Sequence, residues 1–185
     1  MLFRSDFGLI PWQAWRYGGL TLVTSFFLHG SAPHLAVSLY FLLAFGDDVE
    51  EYLGPVRFLL LLMLATVAGG LLHSLPYSAS STPLIGAGGG VTGLLTFYGL
   101  QFPRARIGFL LRIPVIWFLR WVNVRAWVGV LIWLVLQAIG AVRQSGALTQ
   151  VSLWAHLGGA GMGFLFWFFW PGHRAPAVAE SEPRA

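Results

Sequence analysis

Long apolar runs that carry almost no charge are the dominant feature of this chain. The clearest covers residues 151–170 and ends at Pro171-Gly172. Only 10% of the residues are charged, whereas about a quarter are charged in an ordinary globular domain. A helix needs about 20 predominantly apolar residues to cross the hydrocarbon core of a bilayer. An integral membrane protein is therefore expected, and a soluble enzyme or a nucleic-acid binder is excluded as the default interpretation.

Five segments have the length and the apolar character that a membrane span requires. They cover residues 34–53, 58–75, 84–102, 126–142 and 151–170. The first of these carries acidic residues near its end. We predict that it stops at Leu53-Gly54-Pro55, because Gly just past a helix end followed by Pro is a C-terminal signature. The sequence predicts an all-α, polytopic membrane helix bundle of about five spans.

The arginines predict how this bundle is oriented. Five of them lie in the connection at residues 103–125, and Arg57 and Arg174 lie in two other connections on the same face. Arginine beside apolar runs is typical of cytoplasmic loops, so this face and the C-terminus are expected to be cytoplasmic, at the inner cell membrane. The net charge of +4 then indicates topology, and no nucleic-acid partner is expected. Residues 107–122 are apolar but interrupted by charge and proline, which predicts an interfacial segment.

The chain divides into three parts by composition. Residues 1–33 are expected to form an N-terminal outer loop segment, and residues 34–172 the transmembrane domain. Residues 173–185 form a polar tail, which is expected to be disordered and cytoplasmic. The N-terminal segment has no apolar core for export and is not a signal peptide. The absence of cysteine excludes disulfides and thiolate nucleophiles.

Polar side chains within predicted spans are candidate site residues, because they are costly in a bilayer. His34 and Ser38 are four residues apart and share one helix face. His29 does not share that face, and we expect it to anchor its loop through a hydrogen bond. A metal site is the alternative reading of the histidines, but the acidic residues lie at the opposite membrane face. No metal and no cofactor is expected.

A glycine run at residues 86–90 begins the fourth predicted span near the outer surface. Small residues spaced by four allow another helix to approach closely. Docking the two helices that carry such residues would bring Gly88 close to His156. The unpaired N–H groups of a helix start could then serve an oxyanion hole, and simple close packing is the alternative. The last span carries the matching small residues Ala155, Gly159 and Gly163.

Several motifs together resemble those of the rhomboid intramembrane serine proteases. The resemblance covers most of the chain from Thr21 and rests on five short motifs. They are Phe27-Leu28-His29-Gly30 with His34-Leu35, Phe45-Gly46-Asp47-Asp48-Val49-Glu50, Gly86-Ala87, Phe102-Pro103, and Ala155-His156-Leu157-Gly158-Gly159 with Gly163.

The resemblance implies a Ser-His dyad held below the membrane surface. His156 takes the place of the family's general base, and Gly88 takes the place of its serine nucleophile. His34, Ser38 and the backbone of Gly88 take the place of the oxyanion-binding groups, although the family has an asparagine where this chain has Ser38. The motif positions to which we assign structural roles are His29, Glu50, Gly86, Gly89, Gly159 and Gly163.

Two departures from the family pattern concern chemistry. Gly88 offers neither oxygen nor sulfur, and acyl transfer requires a nucleophile activated by a base. Thr92 is the closest hydroxyl, but it lies one turn, about 5.4 Å, farther along the helix. Ser38 is shorter than an asparagine and can bond back to the carbonyl of His34. The loop hydroxyls of Ser80, Ser81 and Thr82 are expected to be solvated.

A third expected departure concerns the start of the given sequence, where 28 residues precede His29 and the family's first helix is not expected. The leading prediction is a rhomboid-fold pseudoprotease that binds transmembrane segments of client proteins in the lipid bilayer. One alternative is an authentic rhomboid serine endopeptidase in which an engineered or variant glycine occupies position 88. A second alternative is a proton channel or transporter that uses His34 and His156, although no inverted repeat of the kind found in transporters is visible.

Overall fold

The computed structural model describes residues 2–113, 118–143 and 152–170. Five long helices make up the bundle, and their bounds follow the predicted spans closely. A short N-terminal segment precedes them, and a hairpin separates the third of them from the fourth. The long helices are α3 (Ala32–Leu53), α4 (Pro55–Ser74), α5 (Gly88–Gln101), α6 (Ala126–Arg143) and α7 (Leu153–Phe169).

Helix α3 begins and ends where its sequence signals predict. The side chain of Ser31 accepts a hydrogen bond from the backbone N–H of His34 at 3.3 Å, which satisfies one of the unpaired donors of the first turn. Gly54 ends the helix with φ of 77°, a left-handed value that glycine adopts without strain. Pro55 then opens α4, so the two helices follow each other with one residue between them.

Helix α5 starts later than the apolar run at residues 84–102 predicts. The apolar run begins at Leu84, but Leu84 pairs as an isolated bridge with Leu9, and their backbones exchange hydrogen bonds of 3.0 and 2.7 Å. This pairing holds the chain extended, so the helix cannot begin until Gly88. The glycine run at residues 86–90 was correctly predicted to begin the helix, whereas the apolar run places its start four residues too early because hydropathy alone cannot reveal a long-range backbone pairing.

The N-terminal segment packs onto the bundle in short turns. It contains helices α1 (Leu2–Phe7) and α2 (Thr21–Thr24) together with short 3₁₀ turns. Its Leu9 is completely buried, and the guanidinium of Arg16 donates to the carbonyl oxygens of Ser5, at 2.5 Å, and Asp6, at 2.8 Å. The segment predicted as an outer loop is therefore folded against the helices.

The basic connection contains an antiparallel β-hairpin. Strands β1 (Arg106–Ile113) and β2 (Phe118–Arg125) pair from Arg106 with Arg125 to Ile113 with Phe118. The sequence predicted an interfacial segment here without a strand. Residues 114–117, which join the two strands, lie outside the described residues.

Helix α5 lies at the centre of the bundle. Leu94 and Phe97 on this helix are fully buried, as are Leu61 on α4 and Val49 on α3. Large apolar side chains on the periphery are exposed instead, among them Leu43 and Phe169. Extensive exposed apolar surface around a packed centre is the arrangement expected for a bundle surrounded by lipid.

The described helices differ in how readily they could cross a bilayer unaided. Within residues 2–113, 118–143 and 152–170, Pro55–Ser74 is long and apolar enough to do so. Residues 21–27 and α3 also qualify as a pair, but they are bent by 97° at the break between them. Ala126–Gly140 and Leu153–Phe169 are apolar but shorter. The number of spans therefore remains a prediction.

Candidate functional site

The start of α5 and the first turns of α7 form the candidate site. A Cβ added at Gly88 would collide with Nε2 of His156 and would lie 2.8 Å from its Cδ2. The imidazole therefore lies directly against the backbone of Gly88. The predicted proximity of these two residues is confirmed.

Small residues make this approach possible. A Cβ added at Gly159 would collide with the carbonyl oxygen of Gly89, and one added at Gly163 would collide with that of Gly93. The backbones of α5 and α7 are thus in direct contact along two turns. Any larger side chain at these positions would move His156 away from Gly88.

A small polar cavity of about 30 Å³ lies at this junction. A cavity needs roughly 10–15 Å³ to hold one water molecule, with polar partners around it. This one could hold a water molecule, but it has no room for a peptide without rearrangement. The residues that line it are Ser25, His34, Thr66, Gly70, Leu84, Ile85, Gly86, Gly88, Gly89, Ser152, Ala155 and His156.

The helix start supplies hydrogen-bond donors beside this cavity. The backbone N–H of Val91 bonds to the carbonyl of Ala87 at 2.9 Å, which is the first bond of the helical ladder. The N–H groups of the residues between them have no partner within the helix. Such groups can stabilise a developing negative charge on a bound carbonyl oxygen.

His34 lies over Gly86 on the opposite wall of the cavity. A Cβ added at Gly86 would lie 2.7 Å from Cε1 and 3.1 Å from Nε2 of the His34 ring. Gly86 has φ of 121°, and its N–H donates to the carbonyl of Ser25 at 2.9 Å. Glycine is required here both for its conformation and for the space that the ring occupies.

Gly86→Ala is expected to lower the free energy of unfolding by about 1–3 kcal/mol, because it forces a strained backbone conformation and displaces His34. Gly30→Ala is the matched control, since a Cβ there would meet His34 Nδ1 only at 3.9 Å. Thermal unfolding in detergent, followed by tryptophan fluorescence, measures both. Equal stability of the two variants would contradict this prediction.

Other sequence-predicted hydroxyls do not reach the cavity. Ser38 is buried on α3 but is not part of the cavity lining among the described residues. The hydroxyl of Thr92 donates to the carbonyl of Gly88 at 2.8 Å, so it is engaged within its own helix. Ser81 and Thr82 are exposed, as predicted, whereas Ser80 is only half-buried.

His29, just before α3, and Glu50, on α3, were both predicted to have structural roles, and they lie in different surroundings. Neither ring nitrogen of His29 makes a hydrogen bond of good geometry, while the backbone of Phe27 is close enough to affect the ring, so the anchoring hydrogen bond stays a prediction. The ring packs edge-on to His34, with centroids 5.1 Å apart. Burial lowers the pKa of His29 below 6.5, and the neighbouring His34 lowers it further, while the backbone of Phe27 opposes the shift. Glu50 is exposed, and its carbonyl accepts the N–H of Gly54 at 2.7 Å.

Two polar residues at the site were not identified from the sequence. Ser152 Oγ lies 2.7 Å from Nδ1 of His73, and both residues are buried. Ser152 also precedes His156 by one helical turn, a spacing that could have indicated a shared face. His73 lies near the end of α4, and its distance along the chain concealed the pairing. Among the described residues, no group of three histidines or acidic residues could hold a metal ion.

An aromatic side chain covers the imidazole from α6. The rings of Trp133 and His156 stack with centroids 6.2 Å apart, and Nδ1 of His156 is buried without a hydrogen-bond partner. The candidate site thus lies inside a helical membrane bundle. In it, the partly covered imidazole of His156 lies against the glycine-rich start of the central helix α5. This arrangement defines an all-α membrane bundle with a histidine at a glycine-rich helix junction.

Comparison with known proteins agrees with this class. The family model of the rhomboid domain matches residues 11–171, and the chain belongs to the rhomboid family. It is 30% identical over 154 residues to "Rhomboid protein 1, mitochondrial" of Saccharomyces cerevisiae, covering 81% of this chain and 41% of that protein. It is 29% identical over 164 residues to "RHOMBOID-like protein 12, mitochondrial" of Arabidopsis thaliana, covering 80% of this chain and 45% of that protein.

A third relative matches over a shorter region. It is "Presenilin-associated rhomboid-like protein A, mitochondrial" of Danio rerio, 31% identical over 101 residues, which are 54% of this chain and 26% of that protein. The chain therefore spans less than half the length of these relatives. All three are described as mitochondrial, so they do not support the predicted inner cell membrane or the predicted orientation of the C-terminus.

Proposed function

We propose that this protein is a rhomboid-family pseudoprotease that binds transmembrane segments of client proteins without cleaving them. The observation that carries the proposal is the contact between Gly88 and His156. Position 88 has no side chain, and the imidazole occupies the space that a Cβ would require. A general base is therefore present, but the nucleophile that it would activate is missing.

Among the described residues, the hydroxyls near the cavity are already engaged: Thr66 donates to the carbonyl of Leu62 at 2.7 Å and Ser25 to that of Leu22 at 3.4 Å. Thr92 bonds to the carbonyl of Gly88 and lies a turn along the helix. Ser152 lines the cavity, but its oxygen already accepts the N–H of Ala155 at 3.1 Å and lies within hydrogen-bond distance of His73. As an N-cap, this oxygen could attack a carbonyl only by giving up the first bond of α7.

Client binding is supported by the polar groups that remain at the site. The free N–H groups at the start of α5 and the rings of His34 and His156 surround a cavity in an otherwise apolar bundle. Unsatisfied backbone groups are costly within a bilayer. A client helix whose top unwinds easily would therefore bring its own unpaired carbonyl oxygens to these donors.

The topology belongs to the same proposal. We place α3 to α7 as successive spans of a multi-pass protein, with the basic connection facing the cytoplasm and the C-terminus on the same side. The positive-inside rule supports this orientation. The predicted polar tail at residues 173–185 lies outside the described residues.

The decisive experiment measures binding and cleavage together in liposomes. A photo-crosslinking residue at Leu35, beside His34, is expected to capture a model transmembrane peptide that carries a Gly-Pro break near its top. The same residue at Phe169, which is 73% exposed at the other end of α7, is the control and should capture less. No cleaved peptide is expected. Cleavage by the unmodified chain that disappears in His156→Ala would overturn the proposal.

The second candidate is an authentic rhomboid serine endopeptidase in which glycine replaces the nucleophile. The retained contact between the start of α5 and His156 favours it, because the scaffold around the missing hydroxyl is otherwise intact. Both candidates share one fold and one site. They differ in whether glycine is the protein's own residue at position 88 or an engineered or variant replacement of a serine.

A further inference from the structure

A buried hydrogen bond joins the end of α4 to the start of α7. Ser152 Oγ and His73 Nδ1 are 2.7 Å apart, and the two residues are only 8% and 7% exposed. Neither belongs to the nucleophile, the base or the oxyanion-binding groups assigned above. The contact is therefore a polar feature that the proposed function does not use.

Ser152 also makes two hydrogen bonds with the first turn of α7. Its hydroxyl oxygen accepts the N–H of Ala155 at 3.1 Å, and its carbonyl oxygen accepts the N–H of His156 at 3.3 Å. A serine hydroxyl has one proton to donate and can also accept. The Ser152 hydroxyl and Nδ1 of His73 share one hydrogen bond whose donor is set by the histidine tautomer, and the same serine caps the turn that carries His156.

Small residues also bring α4 and α7 close together. A Cβ added at Gly158 would lie 2.6 Å from the carbonyl oxygen of Ala68 and 2.8 Å from Cα of Gly69. Such a surface permits close packing, but it has few side chains that would oppose sliding along the helix axis. A slide of one residue corresponds to about 1.5 Å, which is enough to separate the imidazole from Gly88.

A buried hydrogen bond at one end of this interface opposes such a slide. Breaking it would leave a buried donor and acceptor unpaired, which is costly in a low-dielectric environment. A single buried polar residue selects the register of a coiled coil for the same reason. We propose that the Ser152–His73 hydrogen bond fixes the axial register of α7 on α4 and so holds His156 against Gly88. Ser152 and His73 are positioning residues in this arrangement.

The first test uses the unmodified site and the histidine ring signals. The chain has 5 histidines, so ¹⁵N-histidine NMR in detergent can resolve them one by one. His73→Phe removes the hydrogen-bond partner of Ser152 while leaving the N-cap intact, and the ring signal of His156 is expected to shift. His73→Asn places a hydrogen-bonding group near the original Nδ1 and is expected to restore the signal. Ser74→Ala is the control, because Ser74 donates within its own helix to Gly70 at 2.8 Å.

An unchanged His156 signal in His73→Phe would overturn the inference. So would an equal shift in Ser74→Ala, since that variant leaves the bond between the helices intact. If His73→Phe does not fold, Ser152→Ala replaces it, with Ser152→Thr as the variant that keeps a hydroxyl. The same outcomes then apply to that pair.

The second test rests on the proposed function and uses Gly88→Ser as its background. A displacement of about 1 Å can cost 10²-fold in reactivity, so His73→Phe and Ser152→Ala are each expected to slow labelling by a serine-directed phosphonate at least 10-fold. The double variant should be no slower than either single variant, because both remove the same bond. Labelling at the full rate in the single variants would contradict the inference. Absence of labelling in Gly88→Ser itself would count against the dyad, and the NMR result would still decide the register.

Discussion

Gly88→Ser is expected to become covalently labelled by a serine-directed phosphonate, whereas the unmodified chain is expected to remain unlabelled. The substitution supplies the missing hydroxyl at the helix start, directly against the imidazole of His156. A serine beside a general base and unpaired backbone donors is the arrangement that acyl transfer requires. We expect a change from no labelling to stoichiometric labelling within hours.

The new side chain requires one local adjustment. A Cβ at position 88 collides with Nε2 of His156, so the ring must swing away by rotation about its own side-chain bonds. The backbone of α7 cannot retreat easily, because it contacts α5 directly at Gly159. The rotated ring would also leave its stacked position 6.2 Å from Trp133. Labelling of Gly88→Ser is thus expected to be slower than labelling of a serine protease whose histidine already leaves room for the serine side chain.

Ser38 sets a further limit on the recovered activity. It replaces the asparagine of the family pattern and does not line the cavity among the described residues. Loss of one oxyanion donor costs about 10²–10³-fold in other hydrolases. Gly88→Ser is therefore expected to label without cleaving peptides efficiently, and Gly88→Ser combined with Ser38→Asn should label faster.

Three controls identify the labelled atom. Gly88→Ala carries the Cβ without the hydroxyl and should not be labelled. Gly88→Ser with His156→Ala should lose labelling, because the base is gone. Gly88→Ser with Ser152→Ala should label more slowly but still on the serine introduced at position 88, which peptide mass spectrometry can locate. Labelling that persists without His156 would show that the imidazole is not the base, and the assignment of the site would be wrong.

Gly159→Val is expected to be the most destabilising single substitution in the bundle. A Cβ at Gly159 would collide with the carbonyl oxygen of Gly89 and would lie 2.8 Å from its Cα. Backbone atoms cannot rotate out of the way, so the two helices must separate. Overpacking usually lowers the free energy of unfolding by about 1–3 kcal/mol. Because Gly159→Val makes a side chain collide with backbone, we expect a loss of about 4 kcal/mol or more.

Gly161 provides the matched control on the same helix. A Cβ there has no neighbour within 4 Å, so Gly161→Val faces open space and changes only the apolar surface. Thermal unfolding in detergent, read by circular dichroism, compares the two variants. We expect Gly161→Val to stay within a few degrees of the unmodified chain and Gly159→Val to lose its cooperative transition. Similar melting temperatures would show that α5 and α7 do not depend on this contact.

The long helices were predictable because their signals are local. Apolar length, the cap at Ser31 and the stop at Gly54-Pro55 depend on residues near one another in the chain. The bounds of α3, α4, α6 and α7 accordingly agree with the predicted spans to within three residues. The start of α5 could not be located in this way, since the bridge between Leu9 and Leu84 joins residues far apart in sequence.

The hairpin was missed for a related reason. Residues 107–122 are apolar and interrupted by charges, and such a pattern suits an interfacial helix as well as a strand pair. The choice between them depends on hydrogen bonds between two segments, from Arg106 with Arg125 onwards. Periodicity within one segment carries no information about such a partner.

The candidate site was only partly predictable. Small residues at a spacing of four on two helices predicted the meeting of Gly88 and His156, because such faces pack closely in lipid. The hydrogen bond expected of His29 stays a prediction, because neither ring nitrogen has a partner of good geometry and the ring packs on His34. The Ser152–His73 pair joins residues 79 positions apart, and neither residue type indicates its partner.

The sequence by itself determined that this chain is a helical membrane bundle and that position 88 lacks a nucleophile, because both properties belong to side chains and their local order. Only the tertiary structure shows that the His156 ring fills the space beside Gly88 and that α5 begins at Gly88. It also reveals the buried Ser152–His73 hydrogen bond between α7 and α4. These features depend on contacts between segments that are remote in the chain, where a change of a few tenths of an ångström matters. Close packing transmits such distances through the whole bundle, and no residue pattern encodes them directly.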